Sequence, residues 1–427
     1  MPAFDRRQFV ATALGGLAGA CVLPQGLRAV QTTDTAAAAT KVIDAPPSAA
    51  NTLFLTWQRD PTTTMTIQWI GPAIEPAPQL QFGALADTQW KSAPVRIKPF
   101  PDTDWKVYRC ELTGLAPGSE YKFQIGQSLE SYRFRTMPAT ATDQFRFVTG
   151  GDAGIDSHAL ASNRLAALQN PNFALIAGDL AYDNGKSPET FVRFVQNYHA
   201  TMFDADQRMI PLISCLGNHE VRGGYNAKRE DAPHYLAMFD GLFEHQTYNT
   251  LDFGNYLSLV LMDTGHISPI TGAQTEWLQK TLADRQEYPH LIVANHVPAY
   301  PSYRAPEGAK GSLGTGEDQR RHWCPLFERY KVDVVLEHHD HTFKRTHPLI
   351  DGRRDPNGLV YLGDGSWGKL RVPKTPEERP YLAKVAQAYH MTLHALEGDR
   401  RFHLAIEDTG RIADITSTVN KRASRRG

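Results

Sequence analysis

Beyond residue 143, five short apolar runs each stop at a residue type that binds hard or borderline metal ions. "FRFVTGGD" ends at Asp152, and "FALIAGDLAY" ends at Asp179 and Tyr182. "MIPLISCLGNHE" ends at Asn218, His219 and Glu220. "LIVANH" ends at His296, and "VDVVLEHHDH" ends at His339 and His341. Singly, each has an ordinary reading: an Asp after a strand caps a helix or shapes a turn, and a lone His sits satisfied in a core. Five such endings are another matter, because polar groups left unpaired in a core are costly. Strand ends are also where α/β sheets build their sites. The chain is therefore constrained to a fold that gathers five strand ends in one place.

The segments between these runs are helix-like, as an α/β layered domain requires. "SPETFVRFVQNYHATM" offers Ser187 as N-cap and Pro188 at the first helical position, with Phe191, Phe194, Val195, Tyr198 and Met202 along one stripe. "QTEWLQKTLADRQ" places Trp277, Leu278, Thr281 and Leu282 on an inward face. Residues 51–138 read differently. "TMTIQWI", "WKVYRCEL", "YKFQIG" and "SYRFRT" alternate at period two, with "GPAIEPAP" and "LAPGSE" as turns between them. Such spacing predicts a small β-sandwich. It carries no polar constellation, so it reads as a structural or interaction module.

A chain of 427 residues accommodates these two domains after a leader. Arg6 and Arg7 precede an uncharged run from Val10 to Leu23, which is shorter than the ~20 apolar residues that span a bilayer. Residues 1–30 read as a twin-arginine export signal, so a periplasmic or extracellular location is expected. "LAGAC" around Cys21 is a poor lipoprotein box, with Ala18 where a larger aliphatic is usual, and lipid anchoring is not the favoured reading. Residues 31–50 read as a low-complexity linker. No later stretch is apolar enough to be transmembrane. Cys110, Cys215 and Cys324 remain after the leader, an odd number without metal-binding spacing. The net charge of -1 gives no field for nucleic acid. The oligomeric state is left open.

The endings suit two ions. Asp179 can bridge them with two carboxylate oxygens, Asn218 offers a carbonyl oxygen, and the histidines offer imidazole nitrogen. Residues two apart in a strand share a face, so His339 and His341 are co-directed if the run stays extended. His338 and Asp340 then point elsewhere, with supporting roles.

"GGD", "GDLAY", "GNHE", "VANH" and "HHDH", in that order, resemble the five-block pattern of the purple acid phosphatases within the calcineurin-like metallophosphoesterase superfamily. The resemblance covers roughly residues 143–415, including "YLGDGSW". The stretch "LTGLAPGSEYKFQI" resembles fibronectin type III-like domains, which precede the catalytic domain in the plant-type enzymes. The fold implied is an N-terminal fibronectin III-like β-sandwich (51–138) followed by an α/β layered metallophosphoesterase domain (143–418), with central β-sheets flanked by helices. The activity implied is hydrolysis of phosphate monoesters on a small phosphorylated substrate, by attack of a metal-bound hydroxide. The cofactors implied are two metal ions, Fe(III) plus a divalent Zn, Fe or Mn. Carried over by residue, one ion takes Asp152, Asp179, Tyr182 and His341, and the other takes Asp179, Asn218, His296 and His339. Asp152 is followed by Ala153 and Gly154 instead of a ligating His, and Tyr182 matches the tyrosine that this family uses in its place. His219 is implied as the catalytic, substrate-side histidine, with Glu220 orienting it or shifting its pKa. Asn218 also contacts substrate.

Two departures from the family pattern bear on substrate. Where plant-type enzymes carry a pair of substrate-contacting histidines, this chain has Ala305 and Pro306, with Arg304 just before as a candidate phosphate fork. His338 stands where the family usually has glycine. The Gly-rich loop "PEGAKGSLGTGED" is a candidate lid or a plain loop. A phosphodiesterase on the same metal site is the alternative function. A non-catalytic cell-surface interaction protein is a third reading, and the complete ligand set argues against it.

Overall fold

The computed structural model describes residues 45–422 apart from 129, 143–144, 310–311 and 364. The expected export signal, Cys21 and most of the expected linker lie outside the described residues. Residues 45–50, assigned to the linker on composition, have contacts instead. Ala49–Thr52 forms one helical turn, and Gln196 donates to the Ala45 carbonyl at 2.9 Å. Their small side chains and Pro46–Pro47 let the chain lie against the helix at Pro188–Thr201.

Residues 54–135 build two four-stranded antiparallel sheets. One orders the strands Phe54–Thr56, Met65–Gly71, Lys106–Leu112 and Arg96–Pro99; the other orders Lys91–Ala93, Leu80–Ala84, Glu120–Ile125 and Tyr132–Arg135. The period-two pattern survives as burial: along Lys106–Leu112, Tyr108, Cys110 and Leu112 are buried and Arg109 and Glu111 are not, with buried Val107 as the exception. The three cysteines after the leader are free and buried.

The C-terminal part packs two mixed sheets. The strands that carry the site are β1 (Arg146–Gly150), β2 (Ala174–Ile176), β3 (Leu212–Ile213), β4 (His290–Ala294) and β5 (Val334–Glu337). β3, β2 and β1 run parallel at one side of a six-stranded sheet, which three antiparallel strands over 390–419 complete. β4 and β5 run parallel inside a seven-stranded sheet. Their apolar runs are continuous because both faces are covered. Ile292, Ala294, Val334 and Leu336 join the main core with Phe147 and Leu175, while Leu291, Val293 and Val335 face outward onto Leu278, Leu282, Trp323 and Phe327. The helix at Pro188–Thr201 is capped by Ser187, and its stripe from Phe191 to Met202 is buried as expected. In the helix Ala273–Asp284, Leu278, Thr281 and Leu282 are buried, while Trp277 is half-buried. No described helix is long and apolar enough to cross a membrane.

Candidate metal centre

The five strands end before their polar residues, and tight turns do the aiming. Asp152 (φ 59°), Asp179 (53°), Tyr182 (62°), His339 (77°) and His341 (60°) all adopt the left-handed conformation. Non-glycine residues rarely do so, and such strain concentrates at functional sites. This corrects the expectation that His339 and His341 share a face by staying extended. β5 stops at Glu337, and the two histidines lie on successive left-handed bends.

These turns bring one donor atom each from Asp152, Asp179, His296 and His339, all buried, within 4.8 Å of one another. Around Asp152 Oδ1 stand Tyr182 Oη at 3.2 Å and His341 Nε2 at 3.1 Å, themselves 3.0 Å apart. Around His296 Nε2 stand Asp179 Oδ2 at 3.3 Å and His339 Nδ1 at 3.1 Å. Donors bound at about 2.1 Å to one ion lie about 3 Å apart along an octahedral edge, so both triplets fit a shared cation each. Two buried oxygens among the expected ligands, Asp179 Oδ2 and Asn218 Oδ1, have no hydrogen-bond partner. Orphaned oxygens of this kind are what a cation would satisfy.

Charge agrees with geometry. Burial disfavours the Asp179 carboxylate, yet His296 and its neighbours hold it well below the usual range. Burial also pulls His296 down, but Asp179 and Asp152 outweigh it and push it up to about 9. Carboxylate charge that retains a proton so firmly is suited to retain a metal instead. Burial and the nearby His296 hold His339 neutral, the form in which imidazole ligates. Burial together with the Asp152 and Asp179 carboxylates raises the Tyr182 phenol far above its ordinary value, and a cation reverses that balance.

A supporting layer fixes the donors. His296 Nδ1 lies 2.9 Å from the Ala177 carbonyl, which leaves Nε2 as the free lone pair. The His339 N–H donates to Asp152 Oδ2 at 2.8 Å, and the His219 N–H donates to Asp179 Oδ1 at 2.8 Å. A Cβ on Gly217 would sit 2.4 Å from Asp179 Oδ1, so only glycine fits there. The remaining members of "EHHDH" have their own tasks. Buried Glu337 pairs with Lys344 at 2.6 Å and accepts from the Ala299 N–H. His338 faces the Asn295 carbonyl at 2.9 Å, and Asp340 receives the Tyr303 N–H at 2.7 Å.

His219 is the most open of the set, with a side chain 34% exposed. Its ring packs 4.3 Å from the Tyr182 ring, and its Nε2 is 3.9 Å from Asp179 Oδ2. The resemblance implies that Glu220 orients it or shifts its pKa, and the structure turns the Glu220 carboxylate to backbone N–H groups instead. The carboxylate of Glu220 is buried and accepts the N–H groups of Asp179, Leu180 and Gly217 at 2.7–2.8 Å, which pins β2's turn to β3's. The residue that holds His219 is Asn184, 2.5 Å from Nδ1. Arg304 also differs from a free phosphate fork. One arm, Nη1, donates to the His339 carbonyl at 2.6 Å and to Asp340 at 2.7 Å. It lines a cleft of about 650 Å³ that adjoins His339, with Tyr225, Ile270, Leu313 and Asp318 on its walls. Tyr225, whose hydroxyl is 3.3 Å from His339 Nε2, and Lys369, whose Nζ lies 4.9 Å over the Tyr182 ring, were not singled out from the sequence. Neither ends an apolar run, so nothing in the local pattern marks them.

Residues 151–343 match the calcineurin-like phosphoesterase family, and residues 50–149 match the N-terminal domain of purple acid phosphatase. Purple acid phosphatase 21 of Arabidopsis thaliana is 27% identical over 75% of this chain and 73% of its own length. Acid phosphatase type 7 of Homo sapiens is 25% identical over 90% and 94%. A purple acid phosphatase from yellow lupin seeds shares the fold, with a TM-score of 0.71 at 17% identity over 87% of this chain and 74% of that one.

Proposed function

We propose that this chain, a phosphatase-type hydrolase similar to the purple acid phosphatases among the calcineurin-like metallophosphoesterases, cleaves phosphate monoesters at a dinuclear metal centre in an exported protein. The observation that carries the dinuclear reading is the pair of donor triplets, with contacts of 3.0–3.3 Å, one of which contains Asp179 Oδ2, together with the buried and unpartnered Asn218 Oδ1. Asp152, Tyr182 and His341 would hold one ion, Asn218, His296 and His339 the other, and Asp179 both. The phenol favours Fe(III) in the first site, with Zn, Fe or Mn in the second. Such a pair supplies positive charge for an anionic ester and brings water's pKa toward neutrality.

The chain's own residues supply the rest. His219, held at Nδ1 by Asn184, presents Nε2 toward the site, where it can hydrogen-bond substrate and carry a proton to the departing alkoxide. Asn218, next to it, can turn its amide to the phosphoryl group. The walls of the cleft at Tyr225, Ile270 and Leu313 receive the alcohol portion, and Arg304 stands beside them. The twin-arginine leader fits a protein that acquires its metals before export. One observation favours diesters: a cleft of about 650 Å³ lined in part by His339 has room for a second substituent. The deciding measurement is kcat/KM for a chromogenic monoester and its diester analogue. It uses protein reconstituted with iron plus zinc or manganese, from acidic to alkaline pH. Monoester preference supports the proposal, diester preference moves the function to phosphodiesterase, and inertness toward both rejects it.

A further inference from the structure

A carboxylate of the N-terminal sandwich, Asp102, reaches residues that support the site. The sandwich loop over residues 100–105 is closed by the Phe100 N–H to the Trp105 carbonyl at 2.9 Å and by Thr103 Oγ1 to the Phe100 carbonyl at 2.9 Å. This closure projects Asp102, at φ 61°, toward the catalytic domain. Asp102 Oδ2 accepts from Arg222 Nη2 at 2.6 Å and stands 3.4 Å from His234 Nε2. Both recipients grip one short segment. Arg222 Nε donates to the Gly185 carbonyl at 2.7 Å, and buried His234 places Nδ1 2.6 Å from Asp183 Oδ2. Asp183 Oδ2 also accepts from the Gly185 N–H at 3.1 Å. Between the two gripped residues sits Asn184, in a left-handed turn. Its N–H donates to the His219 carbonyl at 2.8 Å, and its Oδ1 meets His219 Nδ1 at 2.5 Å. Asn184 Nδ2 donates to the Tyr182 carbonyl at 3.2 Å, which leaves Oδ1 as the acceptor and puts the ring proton on Nδ1.

We infer that Asp102 of the sandwich is a positioning residue for His219, acting through Arg222 and His234 on the 183–185 turn. The sandwich thereby completes the site without touching substrate. The inference rests on the substrate-side role proposed for His219. It has a physical basis in the sensitivity of reaction to placement, where about 1 Å of displacement at a reacting group costs up to ~100-fold. Asp102 is half exposed, so its removal perturbs the turn more than the fold.

The test compares Asp102→Ala, Asp102→Asn, Arg222→Ala and the double variant, with Lys98→Ala as control. Lys98 also crosses to the catalytic domain, pairing with Asp240 at 2.5 Å, but does not lead to the turn. Asp102→Ala is expected to lower kcat about tenfold, with KM, metal content and Tm near wild type. Asp102→Asn keeps an oxygen for Arg222 and is expected to recover most of the loss. The Asp102→Ala and Arg222→Ala losses should be non-additive in the double variant. Lys98→Ala should stay at wild-type kcat. A kcat within twofold of wild type in Asp102→Ala, additive losses, or an equal loss in Lys98→Ala overturns the inference. A second readout is independent of turnover: the ¹⁵N ring signal of His219 in metal-free protein at fixed pH. It should move in Asp102→Ala and stay in Lys98→Ala. If wild type hydrolyses no ester, the proposed function has failed while a moving signal still supports the coupling. An unmoved signal rejects the coupling in either case.

Discussion

At the scale of single residues, the site depends on donors held where they would not otherwise rest. Tyr182 illustrates the consequence. Its hydroxyl lies 3.0 Å from His341 Nε2 and 3.2 Å from Asp152 Oδ1, and it is the candidate anionic oxygen that would pair with Fe(III). Tyr182→Phe removes one atom and keeps the ring against His219. Iron-loaded protein should therefore lose its visible absorption while Tm moves by only a few degrees. Colour retained in the variant would move the phenolate off the metal. Gly217 makes a complementary case. A methyl group there meets Asp179 Oδ1 at 2.4 Å and the Asp179 amide nitrogen at 2.5 Å, so the carboxylate proposed to bridge the ions must shift. Gly217→Ala should lower the content of both ions, measured by elemental analysis, and two ions bound at wild-type affinity would contradict the bridging geometry. The identity of these residues was legible in the sequence because each ends an apolar run. Their left-handed turns were not, since Asp and His adopt that conformation more often than most residues but in only a small fraction of cases. Glu220 shows the same limit. Its neighbour in sequence suggested a role on His219, whereas three backbone N–H groups claim it.

At the scale of elements, parallel strands from two sheets supply the convergence, and the antiparallel strands behind them carry a liability. His394 and His403 face each other across the pair 390–397 and 400–407, with their Nδ1 atoms 2.7 Å apart. Thr149 Oγ1 lies 2.7 Å from His394 Nε2, and Thr418 Oγ1 lies 3.0 Å from His403 Nε2. One ring proton shared between the Nδ1 atoms satisfies this chain with both rings neutral, and protonating both would set two N–H groups against each other. Burial pushes His394 down to about 3, and burial together with the His394 ring also holds His403 well below its ordinary value. In the unfolded chain both titrate near 6.5. Below that pH the unfolded state binds more protons, so the stability these rings contribute is complete above about 6.5. It is lost as pH falls toward their folded values, at up to about 1.4 kcal/mol per pH unit for each ring. Tm should decline from pH 6.5 to 4.5, and the decline should be shallower in His394→Leu/His403→Leu. An unchanged slope in that variant would assign the acid sensitivity elsewhere. Nothing in the local sequence marked the buried histidine pair, because each His reads alone as an ordinary strand residue.

At the scale of the molecule, sandwich and catalytic domain share one hydrophobic core, and this the sequence concealed. The sandwich's alternating pattern, with no polar constellation, read as a structural or interaction module. Arg109 instead crosses 131 residues to Asp240, Gln68 crosses 170 to the Met238 carbonyl, and Asp102 crosses 120 to Arg222. Contacts of such separation leave no local periodicity to read. The apolar side of the junction is equally committed. Trp57 packs edge-on against Phe173 and Phe253 at 6.3 and 5.9 Å, and Phe54 meets Phe239 at 6.0 Å. Removal of residues 45–138 exposes these faces together, a patch of the kind that drives association. It also releases the 183–185 turn from Asp102. The truncated chain should aggregate, or melt more than about 10 °C below the full chain, since about 1 kcal/mol corresponds to 2–4 °C at this size and several buried aromatics are lost. Scanning calorimetry of both chains under identical metal loading makes the comparison. A truncated chain that is soluble and melts with the full one would show two independent cores, and the aromatic junction would then be contact without cooperativity.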